Sequence, residues 1–167
     1  ELDITAGNLV YTPATDANGS PSFTFQVRDD GGTASGGQDT DQTPNTFTIN
    51  VTDINDAPAG TDGSTTILEG ATYTFNAGDF GFTDPDDSPA NNFEAVIITT
   101  LPAEGTLTLS GSTFIAGTEV SELDITAGNL VYTPATDANG SPSFTFQVRD
   151  DGGTASGGQD TDQTPNT

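Results

Sequence analysis

Residues 51–58 have the sequence Val-Thr-Asp-Ile-Asn-Asp-Ala-Pro, a short acidic segment that we call the strap. The same sequence lies on both sides of it, because residues 1–46 recur identically as residues 122–167. The two copies begin 121 residues apart, at residues 1 and 122. Self-similarity at a fixed period is the signature of a tandem array. The strap therefore predicts a junction, with residues 1–56 as the C-terminal half of one repeat plus its linker and residues 57–167 as most of the next.

The charge of the chain is strongly one-sided. The chain has twenty-five Asp and Glu residues but two Arg, no Lys and no His, which gives a formal net charge of -23. Nucleic acids and anionic membranes need a basic surface, so this balance excludes both as electrostatic partners. Carboxylates at this density repel one another unless cations bind, and calcium takes oxygen ligands of this type. We therefore expect calcium as a cofactor. A disordered acidic chain and a salt-adapted protein are the alternatives that composition allows.

Apolar residues alternate with polar ones in several segments, and this pattern argues against disorder. Residues 23–27 and 47–51 alternate strictly, with Thr, Gln and Asn on the polar face. Residues 95–98 are continuously apolar, which favours a central strand buried on both faces. Strands are predicted at residues 8–12, 23–27, 47–51, 64–68, 71–75, 93–100, 105–109, 112–115, 129–133 and 143–149, with one helical turn possible within residues 120–127. The predicted fold class is all-β, as antiparallel β-sandwich modules in tandem.

Catalysis has few suitable residues in this sequence. Without His and Cys there is no imidazole base and no thiolate. The carboxylate pair Asp86 and Asp87, the remaining route to a glycosidase, lies in a predicted loop with no sign of a pocket. No stretch approaches the roughly 20 apolar residues of a membrane span. We expect neither an enzyme nor membrane insertion.

Four motifs, taken in order, resemble a known family. They are Gly-Thr-Leu-Thr-Leu-Ser-Gly at residues 105–111, Asn-Leu-Val-Tyr-Thr-Pro at 129–134, Phe-Thr-Phe-Gln-Val-Arg-Asp-Asp-Gly-Gly at 144–153, and a closing Asn-Asp-Ala-Pro at 55–58. This order resembles the cadherin-like tandem repeats of giant bacterial surface proteins and adhesins. The resemblance implies extracellular Ig/cadherin-like sandwich domains joined end to end, with calcium at the linkers stiffening the rod.

The acidic residues near the strap are the candidate calcium ligands. In a sandwich of alternating strands, the loop at residues 84–87 and the loop at 150–151 lie at the end where the strap enters, so their carboxylates should face it. Asp16 would reach the same linker from the preceding repeat. Glu69 resembles the family's early acidic ligand and would serve the next linker. The predicted metal ligands are Asp53, Asn55, Asp56, Asp84, Asp86, Asp150, Asp151, Asp16 and Glu69. Alternatively, these are ordinary turn residues.

The loop at residues 150–167 is long for the family that the motifs resemble. Asp160-Thr161-Asp162 inside it is either an extra ion site or, in the preferred interpretation, a solvated loop. In that interpretation, Asp162→Ala should do little to the calcium effect at the linker. The loop is also a candidate recognition surface, because sandwich loops and bound calcium can bind sugars or proteins.

Exact repetition favours a structural spacer, since reach grows with copy number whereas specificity usually resides in one distinct domain. The predicted partners are therefore neighbouring repeats of the same chain, with lateral self-association as a further possibility. A calcium-dependent adhesive module that binds carbohydrate or protein and a self-assembling surface filament remain open alternatives.

The repeat boundaries also lead to expectations about strand pairing. Residues 47–51 should pair with residues 23–27 of their own half-repeat. The repeat that begins at residue 57 should lack the equivalent closing strand, which would leave the strand at residues 143–149 with an open edge.

Overall fold

The computed structural model of the protein describes residues 4–167. The chain forms two compact units, which we call unit 1 (Glu1–Asp53) and unit 2 (Ile54–Thr167). The division between them falls inside the strap. The repeat boundary at residues 56 and 57 is a statement about sequence periodicity and stays a prediction.

Unit 1 contains a β-hairpin with a long loop. Strand β1 (Ser22–Phe25) pairs antiparallel with β2 (Asn45–Thr48), with Phe23 opposite Phe47 and their rings stacked at 5.6 Å. A further bridge joins Gly19 to Val51. The two segments therefore pair antiparallel as predicted, but in a shifted register, because residues 47–51 lie opposite residues 19–23 rather than along 23–27. The loop contains a 3-10 helix at Ala34–Gly36. The strand predicted at residues 8–12 was wrong: these residues are exposed and form no ladder.

Unit 2 is built from two antiparallel sheets. The four-stranded sheet has the order β3-β8-β5-β6 and the three-stranded sheet has the order β7-β4-β9. The strands are β3 (Tyr73–Thr74), β4 (Phe93–Ile98), β5 (Thr106–Leu109), β6 (Ser112–Thr113), β7 (Glu119–Ser121), β8 (Leu130–Thr133) and β9 (Phe146–Asp150). The helices are α1 (Glu122–Thr126) and 3-10 turns at Ala77–Phe80 and Ala155–Gly157. The predicted all-β sandwich class is confirmed.

The apolar run at residues 95–98 forms the centre of the three-stranded sheet. In β4, Ala95, Val96 and Ile98 are completely buried, with β7 on one side and β9 on the other. Val96 lies opposite Val148 of β9 and opposite Val120 of β7. Apolar side chains from both sheets meet in one core, which comprises Phe80, Val96, Ile98, Leu107, Phe114, Val120, Ile125, Leu130, Phe146 and Val148. Removing this apolar surface from water is the main stabilising term of unit 2.

Residues 119–127 contain a strand and a helical turn. The structure adds β7, which sequence periodicity did not predict, and then starts α1, where the Ser121 hydroxyl accepts a hydrogen bond from the Asp124 N–H at 3.1 Å. That cap satisfies one of the unpaired amides of the first turn. The strand predicted at residues 64–68 was wrong. Its Thr and Ile residues have strand propensity, but the segment finds no ladder, and propensity alone does not make a strand.

Strand β9 is paired along both of its sides. Beyond its ladder with β4, Phe146 exchanges backbone hydrogen bonds with Asn166 at 2.8 and 2.9 Å, and Arg149 is bridged to Thr161. The expectation of an open edge is therefore wrong over residues 146–150, because the returning loop at residues 160–166 covers it. The alternating pattern did not show this pairing, since the returning segment is polar.

Candidate functional site

A group of polar side chains in unit 2 surrounds the strap, and we call it the strap cluster. It consists of Asn55, Asp56, Asp84, Asp87, Asn91 and Asp150. Asn55 is its centre: the side-chain amide donates to Asp150 Oδ1 at 3.0 Å and to the Gln159 carbonyl at 2.7 Å. The Asn55 carbonyl in turn accepts from the Gln159 N–H at 2.9 Å. These bonds tie the strap to the end of β9 and to the loop that follows it.

The loop between β3 and β4 supplies the next two carboxylates. The Asp84 Oδ2 atom accepts from the backbone N–H of Asn91 at 2.5 Å, and the Asn91 side-chain amide contacts Asn55 Oδ1. The Asp56 N–H donates to Asp87 Oδ2 at 3.1 Å. Both aspartates are buried, with 7% and 6% of their surfaces exposed. This loop is therefore folded inward onto the strap.

The third segment is the turn after β9. Asp150 is fully buried, and its Oδ1 atom accepts a hydrogen bond from the Gly152 N–H at 2.8 Å. A Cβ atom on Gly152 would collide with Asn55 Oδ1 and with Asn91 Nδ2. A larger residue at this position would therefore require the Asn55 and Asn91 side chains to move.

The cluster leaves two buried carboxylate oxygens without hydrogen-bond partners, Asp84 Oδ1 and Asp150 Oδ2. Burial raises the pKa of Asp150, and the nearby charges of Asp160 and Asp87 raise it further, although the Gly152 N–H and Asn55 act in the opposite direction. A buried and unpaired carboxylate oxygen is costly unless a cation or a donor meets it. The two unpaired oxygens therefore indicate where a cation would lower the energy of this site.

The oxygen atoms of the strap cluster are of chemical types that calcium binds. Among residues 4–167, no group of three or more Asp and Glu side chains is arranged so as to hold a metal ion alone. Calcium also accepts amide and backbone carbonyl oxygens and tolerates irregular geometry, unlike the stricter octahedral magnesium. The carboxylates of Asp84 and Asp150, together with neighbouring amide and carbonyl oxygens, provide ligands of these types.

The structure brings together three of the segments that strand alternation placed at the strap. Asn55, Asp84 and Asp150 meet in one hydrogen-bonded network, so their predicted convergence is confirmed, and Asp56 adjoins it through the bond from its backbone N–H to Asp87. Their ligation of calcium stays a prediction.

The other predicted ligands lie outside this network. Asp86 is exposed, and its neighbour Asp87 contacts the strap instead. Asp151 is exposed and accepts hydrogen bonds from the N–H and the side-chain amide of Asn92 at 2.7 and 3.0 Å, which lower its pKa.

Three further predicted ligands are exposed and make none of the hydrogen bonds of this network. Asp16 and Asp53 belong to unit 1, where Asp16 occupies a turn with φ of 55°. Glu69 borders a groove of about 190 Å³ that Glu104 and Tyr132 also line. Their roles as ligands for linker sites stay predictions.

Asp162 has a structural role that the sequence interpretation missed. It is 7% exposed; its Oδ2 atom accepts from the Gly60 N–H at 2.9 Å and from the Asn166 amide at 2.7 Å, and its Oδ1 atom accepts from the Thr164 N–H at 2.9 Å. Both oxygens are thus satisfied by donors. The preferred interpretation as solvated loop is therefore wrong for this residue. The expectation that Asp162→Ala does little to the calcium effect at the linker stays a prediction.

Sequence reasoning also left Asp87 and Asn91 out of the site. Asp87 was considered only as the partner of Asp86 in a carboxylate pair, and no local motif marks either residue as part of the site, because the bond from the Asn91 N–H reaches back seven residues to Asp84 and the bond to Asp87 comes from the distant Asp56. Asn residues beside predicted ligands were the available signal, because their amides can bridge carboxylates that would otherwise repel.

Comparison with known proteins gives one family. The profile of the bacterial Ig domain matches residues 55–161, about two thirds of the chain and nearly all of unit 2. The match covers the whole strap cluster. Comparisons with curated proteins and with solved structures found no match. None of the helices formed by residues 4–167 has the length and apolar character that a membrane span needs.

Proposed function

We propose that this chain, which belongs to the bacterial Ig domain family, is a calcium-stiffened structural repeat of a large cell-surface adhesin or extracellular fibre. The observation that carries the proposal is the pair of buried, unpaired oxygens on Asp84 and Asp150 beside the strap. Domains of this family are typically structural elements of surface proteins rather than enzymes. The exact 46-residue repetition supports a role in which length matters more than a single recognition surface.

The strap cluster supplies a physical route from calcium to stiffness. A bound cation would supply positive charge to carboxylates that otherwise repel one another at a formal net charge of -23. Asp84 and Asp150 would hold it, while Asn55 and the Asp56 N–H keep the strap hydrogen-bonded to the same loops. The strap cluster would then fix the direction in which the strap enters unit 2. The strap would move together with that unit.

The proposal predicts that calcium stabilises unit 2 and narrows the range of particle lengths. Ligand binding to the folded state alone adds about 3 to 4 kcal/mol at free calcium 100 to 1,000 times the dissociation constant. Thermal unfolding and small-angle X-ray scattering of the full chain should be measured in calcium, in magnesium and in chelator at physiological salt. Equal unfolding temperatures and equal dimensions in calcium and in chelator would refute it.

A matched pair of variants tests whether the strap cluster is responsible. Asp150→Asn keeps the shape and one carbonyl oxygen but removes the charge, and it should abolish most of the calcium-dependent rise in unfolding temperature. Asp29→Asn is the control, because Asp29 has the same local sequence and the same hydrogen bond from the N–H two residues on (Gly31), at 2.8 Å, but is exposed. If both variants respond to calcium as the natural chain does, the site lies elsewhere.

A further inference from the structure

One short motif occurs in both copies of the repeated sequence and takes no part in the strap cluster. Residues 16–20 and residues 137–141 both have the sequence Asp-Ala-Asn-Gly-Ser, and we call each of them an acceptor turn. Each contains the triad Asn-x-Ser, in which the middle residue is Gly and not Pro. That triad is the acceptor sequence for N-linked glycans when it lies on a surface loop of an exported protein. Its place in the structure therefore decides whether the motif can serve.

Both acceptor turns have the same backbone geometry. In the first, the Ala17 N–H donates to the Ala14 carbonyl at 3.2 Å, and in the second the Ala138 N–H donates to the Ala135 carbonyl at 3.2 Å. The aspartate before the donating alanine has φ of 55° in each. The two copies have different neighbours in the structure, so the turn is set by its own sequence.

The asparagines of these turns can be reached from solvent. Asn139 is exposed, Asn18 is half-buried, and the serine of each turn is exposed. The glycine after each asparagine faces open space, because a Cβ atom built on Gly19 or on Gly140 would meet no atom of residues 4–167 within 4 Å. Both motifs therefore lie on the kind of surface loop that glycan transfer needs.

A third triad, Asn50-Val51-Thr52, differs in the residue that precedes it. Two positions before Asn50 lies Thr48, whereas each acceptor turn has Asp at that position. A carboxylate at a fixed spacing from the asparagine is a group that an arginine of a transferring enzyme can bind through two parallel hydrogen bonds. The acceptor turns therefore offer a longer recognition pattern than the triad alone.

We propose that Asn18 and Asn139 are acceptors of N-linked glycans and that the five-residue acceptor turn is the unit that the transferring enzyme recognises. The donor is an oligosaccharide joined through its C1 atom to a lipid diphosphate. The asparagine Nδ2 atom attacks C1, and the bond from C1 to the phosphate oxygen breaks. The lipid diphosphate leaves with that electron pair, and a base of the enzyme takes one proton from Nδ2.

Such glycans would add bulk and solubility that do not depend on the charge of the carboxylates. A high net charge keeps a protein soluble, and calcium bound to the carboxylates would reduce it. The proposal rests on the surface location that is typical of this family and not on calcium binding, so each can fail without the other.

Expression of the full chain in a bacterial periplasm tests the proposal. One strain carries an oligosaccharyltransferase that modifies asparagine, together with a donor glycan of known mass, and a matched strain lacks the transferase. Intact mass spectrometry should show one and two added glycan masses in the first strain and none in the second. Trypsin cuts after Arg28 and Arg149, so the glycans should lie on residues 1–28 and 29–149. An unmodified chain in cells that glycosylate a known acceptor protein overturns the proposal.

Substitutions assign each glycan to its residue. Asn18→Gln should remove the glycan from residues 1–28, and Asn139→Gln should remove it from residues 29–149. Ser141→Ala keeps the asparagine but removes the hydroxyl that the triad requires, so it should also abolish modification of Asn139. A glycan on residues 29–149 that survives Asn139→Gln at similar occupancy lies on Asn50 and overturns recognition of the five-residue turn.

Asp137→Asn tests the carboxylate itself. Asn tolerates the left-handed conformation that Asp137 adopts, so the turn should be kept while the charge is lost. Occupancy of Asn139 should fall several-fold, and Asn18 in the same molecule is the internal control. Equal occupancy of the two asparagines overturns the role of the carboxylate. Asp137 and Asn139 are exposed, so an unchanged midpoint of urea unfolding will show that lost glycan is not lost folding.

Discussion

The two copies of the 46-residue sequence have different structures in the same chain. Ile4 is 74% exposed and its equivalent Ile125 is 1% exposed. Leu130 belongs to strand β8, whereas Leu9 lies in a segment without regular secondary structure. The partners explain the difference, because β8 is held between β3 and β5, which come from residues outside the repeated sequence. Strand formation here is a property of the pairing and not of the segment.

What the copies share is equally informative. Both form a 3-10 helix in the long loop, at Ala34–Gly36 and at Ala155–Gly157. Both place the central serine in the left-handed region, with φ of 57° for Ser35 and 59° for Ser156. These features depend on bonds inside the hairpin, so each copy makes them without help. Local structure is thus set within the repeat, and burial is set by what packs against it.

The largest predicted difference between the copies is in the core. Leu130→Ala removes a completely buried side chain and should lower the free energy of unfolding by about 2 to 5 kcal/mol. Leu9→Ala removes an exposed one and should change it by about 0.5 kcal/mol or less. Urea unfolding of the full chain measures both. Similar losses for the two variants would mean that the first copy is also packed in solution.

Asp162 and Asp41 give the second comparison. Asp162→Ala removes bonds to the N–H groups of Gly60 and Thr164 at a buried site and should cost about 1 to 3 kcal/mol. Asp41 accepts the equivalent bond from Thr43 at 3.0 Å but is less buried. Asp41→Ala should therefore cost less. Equilibrium unfolding decides, and a larger loss for Asp41→Ala would contradict the structural role assigned to Asp162.

The two arginines should show a smaller difference in how much stability is lost when each is replaced by Gln. Arg149 lies 2.6 Å from Glu119 and 3.2 Å from Glu94, whereas Arg28 pairs with Asp39 at 2.8 Å. Arg149→Gln leaves several carboxylates without their cation and should cost about 1 kcal/mol, near the upper end for partly exposed pairs. Arg28→Gln should cost less, because the Arg28 side chain is largely exposed. Thermal unfolding at low and high salt checks this, since screening should shrink the difference.

The smallest predicted effect is a difference in the pH dependence of stability between the variants Asp150→Asn and Asp29→Asn. Burial raises the pKa of Asp150 in the folded state, so the folded state binds the proton more tightly than the unfolded state does. Without calcium, lowering the pH from 7 toward the ordinary carboxyl pKa of about 3.9 should therefore stabilise unit 2.

Other groups act in a different pH range. Hydrogen bonds from Asn129 and from Asn92 lower the pKa values of Asp124 and Asp151, so their stabilisation is present above the ordinary pKa and is lost only below it. Unfolding temperatures between pH 7 and 4.5 in chelator should rise less in Asp150→Asn than in Asp29→Asn. Parallel curves for the two variants would remove Asp150 as the titrating group.

The sequence by itself determined the repeat, the all-β class, the central strand at residues 95–98 and the antiparallel pairing of the segments that contain Phe23 and Phe47, although not their register. Each depends on periodicity or on contacts close in sequence, which are visible without a partner. The sequence also placed Asn55, Asp84 and Asp150 at one end of the domain, because alternating strands decide which loops lie together.

Only the tertiary structure decided which identical segment becomes a strand and which carboxylate of a pair turns inward. Asp87 rather than Asp86 contacts the strap. Both carboxylate oxygens of Asp162 accept hydrogen bonds, whereas Asp84 and Asp150 each keep one oxygen without a hydrogen-bond partner. The physical reason is that burial and hydrogen-bond satisfaction depend on residues distant in sequence. The two copies of residues 1–46 show this directly, since no property of the repeated sequence can distinguish Leu9 from Leu130.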